Sequence, residues 1–309
     1  MTTLAGCVQH RAEATGAFDR TFTVNGPVRL ELTSGSGDSH VTAGPAGEVR
    51  IHGDIHAEDW PFANAHRRSS EVESDPPVSQ QGNLIRVGGG SSSRHVSIDY
   101  TIIVPANTEI RGISGSGDLT VDGLEGPANF ISGSGNVSAS HIGSDIQAVA
   151  GSGDFQFASV QGQVQATTGS GDVDLSLVKG AIRLHTGSGD VHVAQPGNDV
   201  TIQTGSGDVE IGGAIADLRL QSGSGDFTVS GNPGTSNYWD FSTSSGDVTL
   251  NVPSDASFRL YAHTTSGDID AAIPIVMEGT AGKHELRARI GDGKARVEIQ
   301  TSSGGISLH

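Results

Sequence analysis

A five-residue phrase, S-G-S-G-D and its variants, returns along this chain at a fixed interval and limits what the chain can fold into. Its closing aspartate falls at Asp118, Asp154, Asp172, Asp190, Asp208 and Asp226, with Asn136 filling the one gap. Those seven positions give six consecutive intervals of 18 residues. The phrase also closes at Asp38 and, more loosely, at Asp247, Asp268 and Gly305. A strict period of this length means stacked units, each too small to bury an apolar face alone.

With the aspartate as position zero, positions +1 and +3 are apolar, as in Val173 and Leu175, Val191 and Val193, or Val209 and Ile211. Position +2 between them is polar (Asp174, His192, Glu210). That is the period-two alternation of a half-buried strand. A second strand follows, apolar at +10 and +12 (Ile182 and Leu184, Val200 and Ile202) and polar at +11 (Arg183, Thr201). Helix is excluded by the alternation and by the glycine density, 45 of 309 residues. The expected fold is all-β: a single elongated parallel β-solenoid (β-helix) with 18-residue coils, loosening to 21-residue coils at the C-terminal end. An antiparallel hairpin array is the competing layout. The left-handed hexapeptide helix also has 18-residue coils, but its apolar i, i+6, i+12 template fails at Val191, Gly197 and Gln203.

Residues 17–309 are expected to form one solenoid domain, with a polar, proline-containing loop insertion over 57–83 and a disordered tail over 1–16. The net charge of −17 argues against wrapping nucleic acid, which calls for clustered Lys and Arg. A single cysteine, Cys7, excludes a disulfide framework or a four-cysteine zinc site. No apolar run reaches the length of a spanning helix. Leu4-Ala5-Gly6-Cys7 resembles a bacterial lipobox, without the charged start and apolar stretch of a signal segment. Cys7 is thus the candidate lipidation site and membrane anchor.

Three stretches carry a wider resemblance. Phe18-Asp19-Arg20-Thr21-Phe22 leads into Val28-Arg29-Leu30-Glu31-Leu32 and the first S-G-S-G-D; Tyr100 to Pro105 precedes the G-S-G-D ladder; Ile290-Gly291-Asp292-Gly293 is followed by Val297 to Gly304. In this order they resemble the bacterial putative-adhesin family of envelope-associated β-solenoid domains. The resemblance implies the fold, an envelope location and an adhesin-like role, and it supplies no catalytic residue.

The ladder itself reads as architecture. Calcium solenoids carry G-G-x-G-x-D, with more oxygen ligands than one acid per coil supplies. Here glycine is expected to provide unusual backbone angles, and Asp or Asn to bond the amides of its own turn. Asp174, His192 and Glu210 form an outer-face column that an enzyme of the carbohydrate-active β-helix type would use. His52 and His56 with Asp54 and Glu58 fit no closed metal site. The serines recur with the turn, so none has the single environment a nucleophile needs. Trp60 and Phe62 in the insertion, and Tyr238, Trp239 and Phe241 where the coil lengthens, are candidate ligand contacts, unless they point inward. The expectation is a non-catalytic envelope protein without a cofactor, binding an envelope protein or glycan. The carbohydrate-active enzyme is the alternative.

Overall fold

The computed structural model describes residues 13–58, 64–89, 96–278 and 282–309. The period-two strands build two long sheets, one of 14 strands and one of 15, and each regular coil contributes a strand to both. Between Asp118 and Asp226 the coils stack in parallel and in register. Val173 pairs with Val191 and Leu175 with Val193 in the first sheet, while Ile182 pairs with Val200 and Leu184 with Ile202 in the second. The side chains at +1, +3, +10 and +12 are buried between the sheets. Each fully buried aliphatic or aromatic side chain contributes about 1.5–3 kcal/mol, which is what stacking gains over an isolated coil. Phe130, Phe155 and Phe157 are fully buried in this core, with the Phe155 and Phe157 rings stacked at 5.4 Å.

The corner is held differently from the sequence expectation. Its glycines are set by close approach: a Cβ on Gly171 would fall 2.0 Å from the carbonyl oxygen of Gly153 in the coil below, and one on Gly153 2.0 Å from that of Gly135. Nor does the aspartate bond its own turn. Asp99 Oδ1 accepts from the Asp38 amide at 2.8 Å, and Asp38 Oδ1 from the Asp118 amide at 2.9 Å. Asp118 accepts from Asn136 at 2.8 Å and Asn136 from Asp154 at 3.0 Å. The series continues through Asp172, Asp190, Asp208, Asp226 and Asp247 at 2.8–2.9 Å, and ends where the Gly305 amide donates to Asp247 at 2.7 Å. Only an oxygen on the γ-carbon is required, so Asn136 serves as well as an aspartate. Asp268 stands outside the series; the Lys283 ammonium lies 3.4 Å from its carboxylate.

Five residues after each of the six rungs from Asp118 to Asp208 the backbone turns left-handed, at Gly123, His141, Ser159, Leu177, Gln195 and Gly213. A side chain there costs about 1–2 kcal/mol relative to glycine.

At both ends the stacking order departs from the chain order. The strands Arg29–Ser34 and Ser39–Gly44 are wedged between Leu84–Gly88 and Glu109–Ser114 in one sheet, and between Val96–Pro105 and Leu119–Asp122 in the other. Correspondingly, Ala295–Thr301 lies between Tyr238–Thr243 and Phe258–Thr264, and Ile306–Leu308 between Val248–Asn251 and Ile269–Ala271. The second 21-residue interval, Asp247 to Asp268, therefore does not separate neighbouring coils. Antiparallel strands then cover the stack: Glu48–Glu58 and Glu13–Thr23 at one end, Glu285–Ile290 at the other. Such covers keep the edges of a long parallel sheet from pairing with other chains.

Two boundaries shift. The strand Glu13–Thr23 takes in residues 13–16, expected in the tail, because Ala14 and Phe18 point into the core. The expected loop insertion contains the helix Ala65–Ser74 and the strand Val78–Gln81. Asn64 caps the helix by accepting from the Arg67 amide at 3.2 Å, and Ala65, Ser69 and Val72 are its buried stripe. A stripe this short and this poor in large apolar residues leaves almost no periodic signal. No described helix is long and apolar enough to cross a membrane.

Candidate functional site

The aromatic candidates separate on burial. Trp239 and Phe241 are fully buried, their rings 6.1 Å apart, because the strand Tyr238–Thr243 turns alternate residues into the core. The Trp239 indole N–H donates to the Ala216 carbonyl at 2.7 Å, so even its polar edge is occupied inside the fold. They fill the lengthened coil and are not ligand contacts. Tyr238, between them and solvent, is half-buried and donates its hydroxyl to Glu298, while Arg296 lies over its ring at 5.6 Å. Burial, then the Glu298 hydrogen bond, pushes the Tyr238 phenol up to about 12. The same bond, followed by Arg296, holds the Glu298 carboxyl below its usual range. Trp60, Phe62 and Cys7 lie outside the described residues.

The column Asp174, His192, Glu210 exists as read, one residue per strand in three adjacent strands of the first sheet. His192 Nδ1 stands 3.5 Å from Glu210 Oε2, and all three side chains are exposed on a flat sheet face. None of them lines any of the three cavities near 210, 230 and 630 Å³. A reaction site needs polar groups converging on one enclosed point, and a column on a pleated face gives the opposite geometry.

His52 sits between two carboxylates, with Asp19 at 2.8 Å and Asp54 at 3.3 Å. The Asp19 hydrogen bond raises its pKa above the usual 6.5. His56 faces Asp99 at 3.3 Å on the same antiparallel cover. Among the described residues no group of three or more His, Cys, Asp or Glu side chains is placed to hold a metal ion.

A second, shorter ladder runs along the opposite corner and was not anticipated from the sequence. Asp145 accepts from the Gln163 amide at 2.9 Å, Asp199 from Asp217 at 3.3 Å, and Asp217 from Tyr238 at 2.8 Å. Its signal was present in aspartates recurring nine residues after the main rungs at 145, 199 and 217. Proline, glutamine and alanine at the equivalent positions of other coils obscured it.

The largest of these three concavities, about 630 Å³, lies at the C-terminal end of the second sheet, against Arg259, Tyr261, Arg287, Arg296 and Glu298. Arg287 lies over the Tyr261 ring at 5.1 Å. Here cations and aromatics gather on one face, a clustering the sequence conceals because the residues come from strands that are not adjacent in the chain.

Comparison with known proteins gives three findings. A family model described as Toastrack DUF4097 matches residues 91–200 and 183–309. No curated protein matches. Among solved structures, that of a "putative cell adhesion protein" from Clostridium sporogenes matches over 95% of this chain and 99% of that one. Its identity is 13% and its TM-score 0.27, a likeness too weak to carry an argument.

Proposed function

This chain belongs to the Toastrack DUF4097 family, and we propose that it works as a non-catalytic binding scaffold of the bacterial cell envelope. The observation that carries the reading is the uniformity of the two sheet faces between Asp118 and Asp226: in-register columns of polar side chains repeat there for coil after coil instead of converging on a reacting point. Such a face offers area and charge complementarity to an extended partner. With a net charge of −17 the partner is an envelope protein or a glycan, not a nucleic acid.

The envelope location rests on the lipobox-like Leu4-Ala5-Gly6-Cys7, with Cys7 as the lipid anchor. Expressed from its full gene, the protein should fractionate with membranes and carry an acyl mass on Cys7. Cys7→Ser should release it. For the binding role, the purified protein is applied to a glycan array and, in parallel, incubated with the polysaccharides it captures. Capture without turnover is expected. Turnover that disappears in Asp174→Asn would replace this reading with the carbohydrate-active enzyme.

A further inference from the structure

In a protein with 35 acidic and 18 basic side chains, three of the arginines face one another in a single row of the second sheet. On adjacent strands of the second sheet, Arg289 stands directly opposite Arg259, and Arg259 opposite Arg296. Like charges facing each other across strands oppose folding. Arg289 has Glu278 at 3.2 Å, and Arg296 is bonded to Glu298. Arg259, exposed between them, has no carboxylate partner among the described residues.

The row is also held in place. Gly293 leaves room for the arginine stems: a Cβ there would fall 2.7 Å from Arg289 Cγ and 3.2 Å from Arg259 Cγ. Arg287 and Arg296 lie over the Tyr261 and Tyr238 rings, 5.1 and 5.6 Å from the ring centres, and each is also bonded to a glutamate, Glu285 and Glu298. Stacking fixes a guanidinium while leaving in-plane N–H donors for a ligand. The concavity they border, about 630 Å³, is of small-molecule size.

We propose that this groove binds a sugar acid, its carboxylate on Arg259 and its hydroxyls on Glu278 and Glu298. The pairing follows from the donor and acceptor inventory. Arginine forks match a carboxylate, whereas the two glutamates, already held by Arg289, Arg296 and Tyr238, can only accept, and their remaining lone pairs suit a ligand that also donates. Inorganic phosphate carries its one or two P–O–H donors on the same centre as its charge, whereas a sugar acid spreads its hydroxyls around the ring away from the carboxylate. A long polyanion would meet the acidic remainder of the protein, while a short charged sugar lies within one screening length of the arginines. The inference deepens the binding role proposed above and rests on it only in that the sugar is held and not turned over.

The test is a calorimetric titration of the whole protein with trigalacturonate, with neutral trigalactose and inorganic phosphate as comparisons. Trigalacturonate should bind, and Arg259→Ala should weaken it about tenfold or more, while Lys179→Ala, a distant exposed cation, leaves it unchanged. Trigalactose should not bind, and phosphate at equal concentration should not displace the acid. Because Arg259→Ala relieves the like-charge row, its Tm should be no lower than wild type. Absence of trigalacturonate binding at millimolar concentration, equal binding by Arg259→Ala, equal binding of the neutral trimer, displacement by phosphate, or a lowered Tm in Arg259→Ala would each overturn the proposal. Failure here with array capture intact removes the groove and leaves the scaffold. Turnover of trigalacturonate removes the scaffold reading instead.

Discussion

The coils between Asp118 and Asp226 and the coils after Tyr238 use the same two sheets but make opposite use of repetition. In the central region each residue meets the equivalent position 18 residues away, and at the corner and in the core that position carries the same kind of residue, as Asp172 meets Asp190 and Val173 meets Val191. The corner and core side chains there have several equivalents, so none of those has an environment of its own. At the C-terminal end a later strand, Ala295–Thr301, is inserted between Tyr238–Thr243 and Phe258–Thr264. Its neighbours are then unlike one another, and Arg296 meets Arg259 on one side and Tyr238 on the other. Repetition builds the central stack, and unlike neighbours give residues at the end an environment of their own.

The largest effect should come from the irregular end. Trp239→Ala removes the biggest fully buried side chain and leaves the Ala216 carbonyl without its donor. It is expected to cost about 3–5 kcal/mol, read from urea denaturation. A cost under about 1 kcal/mol would mean that the lengthened coil is a loose appendage, and the contrast with the centre would fail.

Gly171→Ala comes next and probes the central stack. With the Gly153 carbonyl oxygen 2.0 Å from the added carbon, coils must separate, at about 3 kcal/mol. An unchanged midpoint would show that the coils are not in the close contact described. Asp172→Ala deprives the Asp190 amide of its acceptor and should cost about 1 kcal/mol, whereas Asp172→Asn should be nearly neutral, following Asn136. Leu177→Gly goes the other way: Leu177 is 51% exposed and left-handed, so the change should stabilise by about 1 kcal/mol.

The smallest effect belongs to the N-terminal cover. His52 has a raised pKa through Asp19, so its contribution is full below pH 6.5 and fades as pH climbs through the raised value. The stability difference between wild type and His52→Gln should shrink by a few tenths of a kcal/mol between about pH 6 and pH 8. Measured denaturation curves at the two pH values decide it, and a difference that grows with pH would contradict the pairing.

The central architecture was legible in the sequence because period and alternation are local signals, and eleven copies of one corner repeat them. How the corner works was not. Glycine and aspartate suit a tight turn equally well, and only stacking shows that Gly171 is needed for contact with Gly153 and that Asp172 serves Asp190. The crossed stacking order at both ends left no trace, since pairing between Arg259 and Arg296 depends on which strand lies beside which. The groove was hidden for the same reason. Tyr238, Trp239 and Phe241 were found as a cluster, but their facing follows from strand alternation, which sends Trp239 and Phe241 inward and leaves Tyr238 at the rim.

The proposed division of labour gives the ladder to architecture and recognition to the irregular end. The most direct measurement replaces Asp154, Asp172, Asp190 and Asp208 together by asparagine and records melting with calcium and with chelator. Every amide keeps its oxygen acceptor, so the Tm should stay within a few degrees of wild type and be the same in both buffers. A collapse of the Tm in the variant, or a wild-type Tm that falls steeply on chelation, would show that the carboxylates hold a cation and that the ladder carries chemistry after all.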